Sequence, residues 1–397
     1  MSKRDPRSFR PDTVITNAGR NPEDNFGIVN PPVYHASTVT FPTVAAMKES
    51  GRDRLRGVHY GRIGTPTTMA FEEAVAAVEG GSDCLSLPSG MAAIAAALLA
   101  HVKTGDHVLV TDNAYAPTRR FCETALKGFG VETTYYDPMI GAGIKDLMRP
   151  QTKVLFTESP GSHTFEVQDI PAMADVAHAA GALVMTDNTW SAGYFMKAFD
   201  LGVDISVHAA TKYLVGHSDA MLGTITTKNR ELYEITKTSA VSYGYCAGPD
   251  DCYLGLRGIR TLAARMARHQ SSALDIAEWL AGRPEVERVL HPARPDCPGH
   301  DIWKRDFSGS SGLFGVVLKP VSEEALVAML DGMALFAMGF SWGGYESLII
   351  PSDPRANRSA VPWTADGPLL RLHVGLEDPE DLKADLADGF ERLKAAS

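Results

Sequence analysis

The sequence predicts an α/β protein: a mostly parallel central sheet covered by helices, followed by a smaller C-terminal α+β domain. Three observations predict it. Between Met69 and Thr226, short apolar segments of four to six residues alternate with helical ones, as in a parallel sheet buried on both faces. Beyond about residue 260 the alternation gives way to strands grouped between a long helix and a terminal one. At 397 residues the chain is long enough for two substantial cores.

Residues 1–65 are rich in Pro, Gly, Asn and Thr with little periodicity, and read as an extended arm. Its Phe26, Val33, Tyr34, Phe41 and Tyr60 favour packing on another surface, a partner subunit, over disorder. Residues 66–260 form the first domain. Phe71–Glu79 has helical spacing, Cys84–Leu87 reads as a strand, and Gly90–Val102, rich in Ala and Leu, as a helix. A strand at His107–Thr111, a helix at Pro117–Phe129 and a strand at Val131–Tyr136 follow. Lys153–Glu158, Leu183–Asp187 and Ile205–Val207 are further apolar strands, the first two separated by a helix at Ile170–Ala180, and Met221–Thr226 closes the series. One long helix is expected from Tyr253 to Ala281. In the second domain, residues 261–397, strands are expected at Val286–Leu290, Gly312–Leu318, Leu335–Met338 and Leu369–Leu376, and helices at Ser322–Asp331 and Pro379–Ala396. In such sheets ligands sit beyond the carboxyl ends of the strands.

Composition narrows the function classes. With 38 basic and 48 acidic residues the net charge is −10 and no basic tract occurs, which argues against nucleic acid as a partner. Met1–Val14 has no apolar core, so no secretory signal is expected there, and the longest apolar run, Ala92–Ala100, is far short of a membrane span. Cysteines 84, 122, 246, 252 and 297 form no Cys-x-x-Cys pair, as expected of reduced thiols in a cytoplasmic protein. Asn357-Arg-Ser359 matches a glycosylation sequon by chance. There is no Gly-x-Ser-x-Gly, His-Glu-x-x-His or Walker segment. The histidines lack metal-ligand spacing, and Gly141-Ala-Gly143 lacks the third glycine of a dinucleotide fingerprint and reads as a loop.

One stretch concentrates the chemistry: Asp204–Asp219, where a short strand runs out into a polar loop bearing Lys212. Any lysine after a strand is by default a solvated charge. Lysine also shifts its pKa readily when buried and forms Schiff bases with carbonyl cofactors, so Lys212 is a candidate anchor for pyridoxal phosphate. That cofactor makes three further demands. Its pyridine nitrogen needs a carboxylate to keep it protonated, and Asp187 emerges from a strand end at the ligand edge. Its phosphate needs a cradle, and Ser89-Gly90 follows a strand and opens a helix whose first N–H groups are free for an anion. Its ring needs a stacking partner, and Tyr115 follows the strand at 107–111. Singly, these have plain structural readings: a turn cap, a common strand–helix turn and a core aromatic. Together they converge on one edge.

These residues resemble the Cys/Met-metabolism family of pyridoxal-phosphate enzymes over nearly the whole chain. The most specific stretches are Tyr60-Gly-Arg62, Ser89-Gly-Met91, Glu158-Ser-Pro-Gly161, Asp187-Asn-Thr-Trp190, Ala210–Asp219, Ser341-Trp-Gly-Gly-Tyr-Glu-Ser-Leu348 and Leu370–Glu377. The resemblance implies an aspartate-aminotransferase-like fold of type I. It implies that Lys212 carries the cofactor, Asp187 pairs with the pyridine nitrogen, and Tyr115 stacks on the ring. Gly90, Met91 and Thr211 would hold the phosphate, with Tyr60 and Arg62 reaching it from the neighbouring subunit of a homo-oligomer, a tetramer built from dimers. Arg371 would clamp the substrate α-carboxylate, helped by Ser341 near Trp342. The chain looks most like the bacterial β-lyases of the family: Trp342 and Tyr345, the stretch Trp303–Phe314, and Asp187-Asn-Thr-Trp190 point there. The expected reaction is β-elimination from a sulfur amino acid, L-cystathionine or a cystine-like compound, with Lys212 and Tyr115 moving protons. The γ-cleaving and γ-forming enzymes of the family are the alternative, and a non-catalytic cofactor-binding regulator a remote one. Two positions depart from the family pattern. Ala209 stands where many members have serine, and Phe340 where β-lyases often have tyrosine.

Overall fold

Seven strands form the central sheet of the computed structural model, which describes residues 8–397 except 53, 54 and 56. They are β1 (Asp83–Leu87), β2 (His107–Thr111), β3 (Glu132–Tyr136), β4 (Thr152–Glu158), β5 (Leu183–Asp187), β6 (Ile205–His208) and β7 (Gly223–Thr227), in the order β1-β7-β6-β5-β4-β2-β3. The run from β3 through β6 is parallel, and β7 is antiparallel to both β1 and β6. Most side chains of these strands are buried, which is why they read as apolar runs rather than alternating ones. Because β7 returns directly beside β6, residues 209–222 are a loop at the carboxyl edge of the sheet and not a crossover. That places Lys212 at the ligand edge.

The helices are α1 (Pro11–Asn17), α2 (Val44–Ser50), α3 (Pro66–Glu79), α4 (Gly90–His101), α5 (Ala116–Phe121), α6 (Ile170–Ala179), α7 (Arg230–Ser242), α8 (Pro249–Ile259), α9 (Leu262–Ala281), α10 (His300–Asp306), α11 (Glu323–Asp331) and α12 (Pro379–Ala395). Their ends follow from local chemistry. Thr65 and Thr68 form a reciprocal capping box at the start of α3, with Pro66 at the first helical position, and Gly80 stops it in the left-handed region. Ser322 caps α11, and Asp378 ahead of Pro379 caps α12. A second, wholly antiparallel sheet of β8 (Val286–Leu290), β9 (Leu313–Leu318), β10 (Leu348–Ser352) and β11 (Leu369–His373) runs in the order β10-β11-β9-β8. It shares a core with α9, α11 and α12 through Ile276, Leu280, Phe314, Met329, Leu386 and Phe390.

Several elements differ from the sequence expectation, each for a physical reason. The helix expected from Tyr253 to Ala281 is two helices, broken at Arg260-Thr261. The Arg265 side chain enters the break, donating to the Gly258 carbonyl at 2.8 Å and the Thr261 hydroxyl at 3.1 Å. Leu335–Met338 is no strand: it contributes one bridge, Ala337 to Leu348, and the edge strand is β10. Pro351 hid that strand, since proline is tolerated only where no ladder bond is needed. Residues 117–129 are not one regular helix, because a π-helical turn at Cys122–Leu126 follows α5. Gly141–Leu147 is a 3₁₀ helix rather than a loop. Helix α7 is largely polar and went unrecognised, as did the short helices α1, α2 and α10. The expected arm includes residues 1–7, 53, 54 and 56, which lie outside the described residues. Within the rest, α1 packs on its own chain through Val14 and Ile15, whereas Phe26 is 99% exposed.

The two sheets are tied by a buried carboxylate. Asp112, one residue past β2 and 1% exposed, accepts hydrogen bonds from the backbone N–H groups of Ser359, Ala360 and Val361 at 2.8–2.9 Å. The Arg119 and Arg358 guanidiniums approach it at 3.0 and 3.3 Å. Removing one partner of such a cluster strands the others without solvent. Asp112→Ala should therefore cost about 3–5 kcal/mol of stability. This is read as a lower urea midpoint together with faster proteolysis within residues 353–364. An unchanged midpoint would show that the clamp holds nothing.

Candidate active site

A cavity of about 400 Å³ lies over the carboxyl ends of β4, β5 and β6. The start of α4 forms one wall, and Phe340, Ser341 and Trp342 from the segment before β10, with Arg371 from β11, form the opposite one. The structure brings Lys212, Asp187, Tyr115, Gly90, Met91, Thr211, Arg371, Ser341 and Trp342 together around it. Tyr60 and Arg62 are not among its lining residues; Arg62 donates to the Val241 carbonyl at 2.8 Å, and Tyr60 is largely exposed. Among the described residues, no group of His, Cys, Asp and Glu is arranged to hold a metal ion.

The lysine loop is fixed backbone to backbone. Lys212 N–H donates to the Ala209 carbonyl at 3.0 Å, and Gly216 N–H to the Lys212 carbonyl at 2.7 Å. Gly343, at φ +87°, lies flat against Lys212, and a Cβ there would sit 2.9 Å from the Lys212 carbonyl carbon. The Lys212 ammonium donates to Ser341 Oγ at 2.6 Å and stands 5.2 Å from the Trp342 ring centroid. Burial, and next the nearby Arg371 charge, lower its pKa to about 8 against the pull of Asp187. An appreciable fraction of the amine is therefore unprotonated at neutral pH.

Asp187 ends β5, and its Oδ1 accepts from Thr189 N–H at 3.0 Å and the Thr189 hydroxyl at 2.5 Å. Directly across the strand pair, at the last position of β4, stands Glu158. Sequence reasoning quoted Glu158 in a motif but gave it no role. The signal was there: two adjacent parallel strands each end in an acid. Among the described residues, the Glu158 carboxyl accepts only the Tyr115 backbone N–H, at 2.7 Å. Burial and the charge of Asp187 push its carboxyl far above the ordinary range. Burial raises Asp187 too, but the Thr189 donors, His208 and Lys212 all favour its ionised form. Two buried carboxyls at paired strand ends share one charge. That charge belongs on Asp187, and the proton on Glu158.

At the other end, Ser89 caps α4 by accepting from Ala92 N–H at 3.1 Å, leaving the first amides of the helix without helical partners. Gly90 is required by the protein's own packing, since a Cβ there would meet Ala209 Cβ at 2.5 Å. The Thr211 hydroxyl donates to the Leu222 carbonyl at 3.1 Å and accepts from Leu222 N–H at 2.8 Å. Tyr115 caps the side of the cavity; burial, then Glu158 and Asp187, raise its pKa, so the phenol is neutral. Arg371 projects from β11, and one of its terminal nitrogens donates to the carbonyls of Gly339, Phe340 and Ser341 at 3.0–3.1 Å. Its other guanidinium nitrogens make no hydrogen bond to described residues. Burial lowers its pKa to about 10, so it stays charged at neutral pH.

The site thus offers free amides at one end, an ionised carboxylate at the other, and a titratable amine between them under an aromatic ring. This donor set fits pyridoxal phosphate: an anion for the helix start, a cationic ring nitrogen for Asp187 and an aldehyde for Lys212.

Comparison with known proteins points the same way. The description "Cys/Met metabolism PLP-dependent enzyme" matches residues 12–391. The chain is 50% identical to a putative cystathionine beta-lyase of Rhizobium johnstonii over 96% of both chains. It is 46% identical to the cystathionine beta-lyase of Escherichia coli, over 96% of this chain and 98% of that one. Its fold matches a crystal structure of cystathionine gamma synthase from Xanthomonas oryzae pv. oryzae in complex with cystathionine. The TM-score is 0.90 at 31% identity, covering 98% of this chain and 100% of the other.

The charge assignment can be measured by titrating pyridoxal phosphate into cofactor-free protein. Asp187→Asn should weaken binding at least tenfold, whereas Glu158→Gln, which mimics a protonated acid, should stay within about threefold of the parent. Equal losses in the two variants would place the charge wrongly.

Proposed function

The chain belongs to the Cys/Met metabolism family of pyridoxal-phosphate-dependent enzymes, and we propose that it cleaves L-cystathionine by β-elimination to L-homocysteine, pyruvate and ammonia. One observation carries the catalytic reading. A single cavity holds Lys212 Nζ, partly unprotonated at neutral pH, and an Arg371 guanidinium with nitrogens to spare. That is a base for a Cα proton beside a clamp for an α-carboxylate. The preference for the β bond is supported by relatives of that name at 46% and 50% identity, against 31% for the γ-synthase.

Bound pyridoxal phosphate supplies an electron sink for the pair left when a bond to Cα breaks. In this reading Asp187 holds the proton on its ring nitrogen, Tyr115 stacks on the ring, and the Gly90 and Met91 amides with Thr211 hold its phosphate. Arg371 receives the substrate carboxylate in a fork, with Ser341 beside it, and so turns the Cα–H toward Lys212. Lys212 Nζ then takes the Cα proton. The departing sulfur takes a proton from Lys212 or from the Tyr115 hydroxyl, which its raised pKa keeps protonated. One water is consumed as the three-carbon fragment becomes pyruvate and ammonia. Phe340, 93% exposed at the mouth, offers an apolar surface to the far end of the substrate.

Tyr60 and Arg62 lie away from their own chain's cavity, and we assign them to the phosphate of a neighbouring subunit's site, within a cytoplasmic homotetramer built from dimers. The exposed Phe26, Ile28 and Val29 in the arm support such packing. No helix of the described residues is long and apolar enough to cross a membrane.

Incubation with L-cystathionine should release pyruvate and homocysteine; 2-oxobutyrate and cysteine would instead mean γ-cleavage. The rate should climb with pH through a midpoint near 8, because Nζ must be unprotonated to act, and Lys212→Ala should lower it by a factor of about 10²–10⁴ or more. Co-expressing Lys212→Ala and Arg62→Ala chains should recover activity that neither has alone, since a mixed dimer rebuilds one intact site. No recovery on proven mixing would rule out shared sites.

A further inference from the structure

His163 lies in the wall of the same cavity and has no part in the mechanism above. It sits in the segment 159–166 at φ +65°, a left-handed backbone that few residues other than glycine adopt and in which histidine, like asparagine and aspartate, is over-represented. The segment is held there firmly. Gly161 N–H donates to the Glu166 carbonyl at 3.0 Å, and Ser162 N–H to the Asn113 carbonyl at 2.8 Å. Glu166 is itself fixed by Asn113 at 3.0 Å and Arg358 at 2.9 Å. Across the sheet, Gly315 makes room: a Cβ there would come within 3.1 Å of the His163 carbonyl oxygen. These contacts fix the backbone from which the His163 ring projects.

The ring's two nitrogens have different surroundings. Nδ1 is sealed from solvent and has no hydrogen-bond partner. Nε2 has no hydrogen-bond partner among the described residues either, but it is not among the sealed atoms, so it keeps some accessible surface on a residue that lines the cavity. Burial, and next the Arg371 charge, lower the ring's pKa to about 4, so the imidazole is neutral. A neutral imidazole carries one proton. Placing it on Nδ1 would strand a donor in dry protein, and orphaned buried N–H groups are rarer than orphaned acceptors. The proton is therefore assigned to Nε2, a donor on a residue that lines the same cavity as Arg371.

We propose that His163 is a substrate-positioning residue whose Nε2–H donates to the carboxylate that Arg371 clamps. This rests on the reading of the cavity as an amino-acid site. It adds a second, uncharged donor, and with it a directional constraint that a lone guanidinium does not impose.

The test uses the holoenzyme and two variants, His163→Gln and His163→Asn. Glutamine can set its amide N–H near the Nε2 position, whereas asparagine reaches only as far as Nδ1. Asparagine, however, is the better residue for a left-handed backbone. A merely structural role therefore ranks Asn above Gln, and a donor role ranks Gln above Asn. The probes are glycine, whose binding is followed by calorimetry, and L-cystathionine, followed by steady-state kinetics. His163→Asn should weaken glycine binding and raise KM by about tenfold or more, with kcat within about twofold. His163→Gln should keep both within about threefold of the parent. Glycine binding unchanged in His163→Asn, or a greater loss in His163→Gln, would overturn the assignment. Glycine has no scissile bond, so this outcome is independent of whether cystathionine yields pyruvate or 2-oxobutyrate, which decides the proposed function alone.

Discussion

The site depends on how closely other backbones approach the loop that carries Lys212. Four glycines surround or lie within that loop, each where a side chain would overlap a neighbour. A Cβ on Gly90 would meet Ala209, on Gly258 the carbonyls of Leu214 and Val215, on Gly343 the Lys212 backbone, and on Gly216 the Arg265 guanidinium. The loop is thus gripped by the start of α4, the end of α8, the start of α9 and the 341–344 segment that precedes β10. With the backbone held on every side, the amine moves only by its own side-chain torsions. A reaction that passes a proton between atoms of one substrate needs that limited, repeatable reach.

On this rigid frame the electrostatics are set by scarcity of water. Lys212, Arg371, Asp187 and Glu158 are all drawn toward their neutral forms by burial, and neighbours decide which of them resist. Asp187 keeps its charge because Thr189 and two basic side chains answer it, and Glu158 yields because one backbone N–H does not suffice. Lys212 lies between these influences: Arg371 adds to the effect of burial, while Asp187 opposes it. The same balance that leaves a carboxylate for a cationic ring leaves an amine that can take up a proton near neutral pH.

Much of this was legible in the sequence wherever a side chain's fate follows from its place on a strand. Asp187, Tyr115 and Lys212 each lie at or shortly beyond the end of an apolar run, and a parallel sheet gathers such positions along one edge. The α/β class followed from the same runs. What escaped depends on contacts distant in sequence. The role of Glu158 required the register that sets it opposite Asp187. His163 could not be singled out, because nothing local announces a left-handed histidine. The break between α8 and α9 required an arginine from the following turn, and β10 was masked by a proline that only an edge strand tolerates. The helix start at Gly90 is legible as an anion cradle, but the demand that Ala209 makes for a glycine there is visible only in the packing.

The exposed ring of Phe340 gives the cavity two ends of unlike character. The lysine end is locked by backbone contact: a Cβ added at Gly90, Gly216, Gly258 or Gly343 collides with the chain. The mouth is bounded by a side chain that touches little and faces solvent. Sequence drift can therefore act on one end and not the other: exchanges at the mouth alter which substrate tails are welcome while the proton-transfer apparatus stays intact. A framework so divided can keep its shape, as the TM-score of 0.90 to a γ-synthase at 31% identity illustrates, while the bond it breaks and the molecules it accepts diverge.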